Sequence, residues 1–276
     1  MTSASAPALE AVVPEPGAAK PDPVLVVDRV RRAFGGSVAV DVDHLEVQRG
    51  AITALIGPNG AGKTTLFDVL TGFDRAAQGR WGLDGRPLAG LPAHRIARLG
   101  MVRTFQLTRM LAKMTVIDNM KLAARHQRGE RFLPAFVRPL WRGREGEVED
   151  RGMALLRRFG LAHMRDQYAG TLSGGQRKLL EMARALMVEP RLLLLDEPTA
   201  GVNPVLKASI LEHITELREA GLTVLFVEHD MDVVTEISDW VVCMGASLVI
   251  AEGPPRSIVG DARVIDAYLG SRRGEG

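Results

Sequence analysis

Nine residues, "GPNGAGKTT" from Gly57 to Thr65, constrain this chain more than any other stretch. They fit the pattern G-x4-G-K-[ST], in which glycines let the backbone wrap closely around an anion. The apolar run "AITALI" (51–56) precedes them, and a helix-forming segment opens at Gly62-Lys63 and ends near Gly72. A strand, a glycine turn and a helix in that order place inward-facing N–H groups and a helix's positive end at one point. Gly57, Pro58, Asn59, Gly60, Ala61, Gly62, Lys63, Thr64 and Thr65 are therefore candidate phosphate-binding residues. Lys63 is expected to reach the β and γ phosphates, the Thr64 hydroxyl to bind Mg²⁺, and Thr65 to add a phosphate hydrogen bond.

Two further apolar runs, "RLLLLD" (191–196) and "LTVLFVEHD" (222–230), read as strands buried on both faces of a parallel sheet. Each is followed by a helix pattern, so the fold class is α/β. One helix runs from Gln176 to about Val188. Another is capped by Asn203, starts at Pro204 and stops at Gly221. Ahead of the glycine turn, "PVLVVDRVRRAF" and "DVDHLEVQRG" read as antiparallel strands. Between about 107 and 180 the strand signal fades and gives way to a helical insertion. The Ala- and Pro-rich residues 1–23 read as a disordered tail, and 271–276 as a C-terminal tail.

With 276 residues and 46% apolar content, the chain can bury a full core. A net charge of +2 gives no field that points to nucleic acid. The arginines around 125–144 read as a solvated face or, alternatively, as a contact for lipid head groups or a membrane partner. The one cysteine, Cys243, excludes an internal disulfide and reads as a buried apolar residue. No apolar run approaches the ~20 residues of a membrane span. The chain is expected to be cytoplasmic.

Asp196 and Glu197 follow "LLLL" at a strand end, where ligands of open α/β sheets bind. Successive strand residues point oppositely, so the two carboxylates divide the work. Asp196 is assigned to the Mg²⁺ shell, and Glu197 to positioning and deprotonating an attacking water. His229, after the strand "TVLFV", is a candidate γ-phosphate contact. Gln106 in "RTFQ" can touch Mg²⁺ or its water and report nucleotide state to the insertion. Ser173, Gly174, Gly175 and Gln176 form a capping box containing two glycines. Each glycine costs about 1 kcal/mol relative to alanine inside a helix. That cost is explained if the bare N–H groups close over the γ-phosphate of a neighbouring subunit's ATP, which makes a head-to-tail pair with two composite sites.

Together the phosphate turn, "TFQ", "LSGGQRKLLEMARALMVEPRLLLLDEPTAGVNP" and "VEHDMDVV" resemble the ATP-binding cassette (ABC) ATPases over about residues 24–270. The resemblance implies ATP hydrolysis and a P-loop core. It also implies an N-terminal antiparallel subdomain, an inserted helical subdomain, and Phe34 stacking on adenine. As a lone aromatic, Phe34 reads equally as a core residue. One departure stands out: the usual Ser-Ala-Leu-Asp after the second carboxylate motif is Ala200-Gly201-Val202-Asn203 here, which questions any charge-dependent coupling at that aspartate.

"FGGSVAV", "AGVNP", "IAEGPP" and "VIDAYLG" are similar to the ATPases of branched-chain amino-acid uptake systems. That likeness implies a second ABC ATPase subunit, identical or paralogous, two transmembrane permease subunits contacted near Arg109 to Met114, and a solute-binding protein acting through the permease. It places the chain on the cytoplasmic face of the plasma membrane. The alternatives are a urea or amide importer, an exporter, a non-transport ABC ATPase of the cluster-assembly type, and a regulatory cassette that binds ATP without turnover.

Overall fold

The computed structural model describes residues 9–76, 78–104, 110–124 and 139–272. Two compact units emerge. The first comprises Met1–Arg103, Arg191–Pro198 and Leu211–Gly276, and the second Thr104–Pro190 and Thr199–Ile210.

The first unit begins with a long antiparallel pair, β1 (Pro23–Phe34) and β2 (Ser37–Gln48). Next come β3 (Ile52–Ile56), α1 (Lys63–Leu70), β4 (Gln78–Leu83), β5 (Arg86–Pro87), α2 (Ala93–Leu99) and β6 (Met101–Arg103). The second unit holds α3 (Val116–Ala123), α4 (Pro139–Arg158) and α5 (Gly174–Leu186). The chain continues through β7 (Leu192–Asp196), α6 (Pro204–Glu219), β8 (Thr223–Val227), α7 (Met231–Ile237), β9 (Trp240–Gly245), β10 (Leu248–Gly253), α8 (Pro255–Val259) and α9 (Ala262–Arg272).

The strands of the first unit form two sheets, ordered β2-β1-β4-β5 and β10-β9-β3-β8-β7-β6. In the larger sheet β9, β3, β8, β7 and β6 run parallel, and β10 closes one edge antiparallel. β3, β7 and β8 are buried at every residue. This matches the continuous apolar runs, since a parallel strand covered on both faces has no polar side. Each leucine of Leu192–Leu195 is fully buried and contributes about 1.5–3 kcal/mol. β3 lies between β8 and β9, so its carboxyl end opens in the middle of the sheet.

The expected tail is corrected over residues 9–22. Leu9 and Ala18 are buried, and Ala18 N–H donates to Glu252 Oε1 at 2.7 Å. The Lys20 ammonium sits 3.0 Å from Glu252 Oε2 and 4.4 Å from the centroid of the Trp240 ring. Trp240 Nε1 donates to the same carboxylate oxygen at 2.9 Å. A buried pair survives where hydrogen bonds satisfy its remaining groups, and that long-range partnership holds a segment whose composition reads as disordered. Residues 1–8 lie outside the described residues.

The second unit is helical. It begins at Thr104 and takes in Thr199–Ile210, beyond the range the fading strand pattern marks out. α4 starts at Pro139, inside the expected helical insertion. Asn119, fully buried, ties down the chain ahead of α3: its Oδ1 accepts from Leu111 N–H at 3.0 Å, and its Nδ2 donates to the carbonyls of Leu111 and Thr115.

Candidate functional site

The phosphate turn leaves the central strand β3 and enters α1 at Lys63, with Gly62 as its N-cap. Gly57, Gly60 and Gly62 have φ of 144°, 77° and 99°. These angles are open to glycine and strained for other residues. Gly57 and Gly62 are also hemmed in. A Cβ on Gly57 would lie 2.1 Å from the Met244 carbonyl oxygen, and one on Gly62 would lie 2.1 Å from that of Ala39. At Gly57 and Gly62 the loop therefore presents bare backbone where a side chain cannot fit, which suits a polyphosphate. The Lys63 ammonium donates to the carbonyls of Gly57 at 2.6 Å and Pro58 at 2.8 Å. Burial pulls its pKa below the ordinary lysine range, while the charges of Glu197 and Asp196 act the other way.

Asp196 ends β7, buried, and Glu197 follows with a φ of 47°. A non-glycine residue in that region stores about 1–3 kcal/mol of strain, and such residues cluster at functional sites. The Glu197 N–H donates to the Val227 carbonyl of β8 at 3.1 Å, which helps to hold the turn. Beyond β8, His229 Nδ1 stands 3.9 Å from Glu197 Oε1, with the histidine exposed and the glutamate side chain a quarter exposed. The next strand end thus brings together the two residues singled out for water activation and γ-phosphate contact. Asp230 caps α7, its side chain accepting from Asp232 N–H.

Arg103, at the end of β6, was missed by sequence reasoning. Its guanidinium donates to Asp196 Oδ2 at 2.7 Å and to Asp68 Oδ1 at 2.5 Å. The Thr64 hydroxyl and the Asp196 carboxylate are hard oxygen donors, the kind Mg²⁺ takes alongside phosphate oxygens and water. Gln106 lies outside the described residues, as do Arg109 and its immediate predecessors. Phe34, at the end of β1, is half exposed, so it is not a core residue. The Arg32 guanidinium lies 4.1 Å from its ring centroid, and Arg32 also pairs with Asp74 at 2.7 Å.

In the second unit Ser173 is the N-cap of α5, and both capping-box bonds form: Gln176 N–H donates to Ser173 Oγ at 3.3 Å, and Ser173 N–H to Gln176 Oε1 at 2.9 Å. The two glycines have different reasons to be glycine. A Cβ on Gly175 would lie 1.5 Å from Leu206 Cδ2, so packing against α6 demands glycine there. A Cβ on Gly174 would meet nothing within 4 Å, so only Gly174 leaves open backbone that packing does not explain. Asn203 caps α6 as its position suggests, its Oδ1 accepting from Leu206 N–H at 2.9 Å.

Residues 40–200 match the family model of the ABC transporter, and residues 249–273 match that of the branched-chain amino acid ATP-binding cassette transporter. The chain is 41% identical to a probable branched-chain amino acid transport ATP-binding protein, LivG, of Archaeoglobus fulgidus, covering 91% of this chain and 97% of that one. It is 42% identical to the high-affinity branched-chain amino acid transport ATP-binding protein BraF of Pseudomonas aeruginosa, covering 90% and 98%. Among solved structures it resembles the ADP conformation of MJ1267, an ATP-binding cassette of an ABC transporter, with a TM-score of 0.78, 35% identity and coverage of 90% and 99%. A strained glutamate, its nearby histidine and the glycine cradle thus follow the carboxyl ends of three successive strands of one sheet, β7, β8 and β3. The chain belongs to the ATP-binding cassette family of ABC transporters.

Proposed function

We propose that this protein is the ATP-binding and ATP-hydrolysing subunit of an importer for branched-chain or related hydrophobic amino acids. The observation that carries the reading is the approach of His229 to Glu197 at 3.9 Å. It occurs beyond the carboxyl ends of β7 and β8, and β8 pairs directly with β3, the strand leading into the phosphate turn. The C-terminal match to the branched-chain cassette model, and relatives named for that transport, supply the substrate class.

In this reading the backbone of Gly57–Gly62 and the Lys63 ammonium hold the β and γ phosphates, Thr65 adds a hydrogen bond, and Phe34 stacks on adenine. Thr64, Asp196 and Gln106 hold Mg²⁺, which neutralises phosphate charge when bound. Glu197 orients and deprotonates water, and His229 contacts the γ-phosphate. Ser173, Gly174, Gly175 and Gln176 of a second cassette close over the nucleotide. Binding draws the two cassettes together and moves the helical units. That motion reaches two permease subunits through the chain after Gln106, and hydrolysis reopens the pair. A solute-binding protein delivers the amino acid from the far side. The chain sits peripherally on the cytoplasmic face. Among the described residues no helix is long and apolar enough to cross a membrane.

The test is uptake of labelled leucine, isoleucine and valine into vesicles holding the complex. Uptake and phosphate release together, both lost in Lys63→Ala, support the reading. Phosphate release with no amino-acid uptake moves the chain to another substrate.

A further inference from the structure

The geometry points to Tyr268 as a positioning residue of the phosphate turn, through which the C-terminal helix sets the turn's affinity for ATP. The hydroxyl of Tyr268, on α9, accepts the Gly57 N–H at 2.9 Å. The carbonyl of the same glycine accepts from the Lys63 ammonium at 2.6 Å. Gly57 is therefore gripped at both ends of its backbone, by α9 on one side and the phosphate-binding lysine on the other. Its third side is closed by Met244, whose carbonyl oxygen leaves no room for even a Cβ. The N–H and the carbonyl of Gly57 lie in adjacent peptide planes joined at its Cα, so a shift of the first carries the second, and a hydroxyl 211 residues away in sequence helps to set where the ammonium sits.

The helix that delivers this hydroxyl is itself anchored. Asp261 stands ahead of it, and its Oδ1 accepts from Arg263 N–H at 2.8 Å. A Cβ on Gly245, next to Met244 at the end of β9, would lie 3.6 Å from the Cβ of Ala267 on this helix. Burial raises the Tyr268 phenol above its ordinary pKa, so the hydroxyl stays protonated at neutral pH and keeps a lone pair for Gly57 and a proton to donate elsewhere.

The test is Tyr268→Phe, which keeps the ring and removes the acceptor. The expected result is ATP and ADP affinities weaker by about three- to tenfold, the equivalent of one hydrogen bond, with kcat at saturating ATP changed less than about twofold. A merely structural role would lower the unfolding temperature without moving nucleotide affinity, so unchanged affinity overturns the inference whatever happens to stability. A second measurement uses the unmutated sequence. The chain has two tyrosines, and labelling with 3-fluorotyrosine gives two ¹⁹F resonances, assigned with Tyr168→Phe. The Tyr268 resonance shifts on adding ADP, and a resonance that stays put overturns the inference. The inference rests on the nucleotide-binding reading. Wild-type protein that fails to bind ATP overturns both, whereas wild-type binding with unimpaired Tyr268→Phe overturns this inference alone.

Discussion

Arg103 and Asp196, 93 residues apart in the chain, meet at 2.7 Å, and both side chains are about 5% exposed or less. The carboxylate assigned to Mg²⁺ is thus held by a buried cation from the neighbouring strand β6. Removing one partner of a buried pair leaves an uncompensated charge and costs about 3–5 kcal/mol. Arg103→Met is therefore expected to lower unfolding stability by about that amount in a urea titration. A midpoint equal to that of the wild type contradicts the role given to the pair.

Glu197 departs from the ordinary backbone regions and stands beside His229. Glu197→Gln removes the base but keeps the shape. Phosphate release is expected to fall by about 10²–10⁴-fold while ATP still binds. Turnover within about threefold of the wild type contradicts the assignment of Glu197 as the base.

Ser173 caps α5 and opens the turn whose open glycine is Gly174. Ser173→Arg fills the approach to that backbone. The isolated chain is expected to bind ATP as the wild type does, within about twofold, while turnover in the transport complex drops at least about 100-fold. Full turnover removes the lid role.

His44 lies between two carboxylates, its Nδ1 2.7 Å from Asp28 and its Nε2 3.1 Å from Glu46. Burial pulls its pKa down, but the bonds to Asp28 and Glu46 outweigh burial and the net shift is upward from 6.5. A raised folded-state pKa gives stability that is complete below the unfolded value and is lost as pH rises through the folded one. Wild type should exceed His44→Gln in stability at pH 5.5 by more than at pH 8.5. Screening at this partly exposed site keeps the difference below about 1 kcal/mol. An equal difference at both pH values contradicts the ion pairing.

Cys243 is fully buried, and burial pushes its thiol up to about 12. A thiol reagent at pH 8 should leave the native chain unlabelled and modify one site in denaturant. Labelling of the native protein at the denatured rate contradicts the burial of β9.

What the sequence makes legible is local chemistry. The turn at Gly57–Lys63 reads directly because the glycines and lysine that make it are neighbours in the chain. The capping box of Ser173 and Gln176 and the Asn203 cap read for the same reason, each spanning three residues. The buried strands announce themselves as unbroken apolar runs. What stays hidden is pairing between distant positions: Arg103 with Asp196, Tyr268 with Gly57, and Lys20 with Glu252, the last two more than 200 residues apart. No periodicity or composition marks such partners, because each residue alone suits a solvated surface as well. Gly175 teaches a related point. Its side-chain-free backbone suggests a ligand, but Leu206, 31 residues on, already requires it. At Glu197, by contrast, the adjacent-carboxylate argument points to a role distinct from that of Asp196, and the positive φ of its backbone is a feature no sequence pattern marks.

The central claim is that cradle and lid around one nucleotide come from different molecules. Its most direct test mixes two chains, one carrying Asn59→Cys and the other Ser173→Cys, both in a Glu197→Gln background that retains ATP. With ATP and Mg²⁺ present, mild oxidation is expected to give a covalent pair of twice the chain's mass, and without nucleotide it gives none. Chains that hold ATP under these conditions yet never cross-link, either to each other or to a paralogous cassette carrying the matching cysteine, contradict the claim.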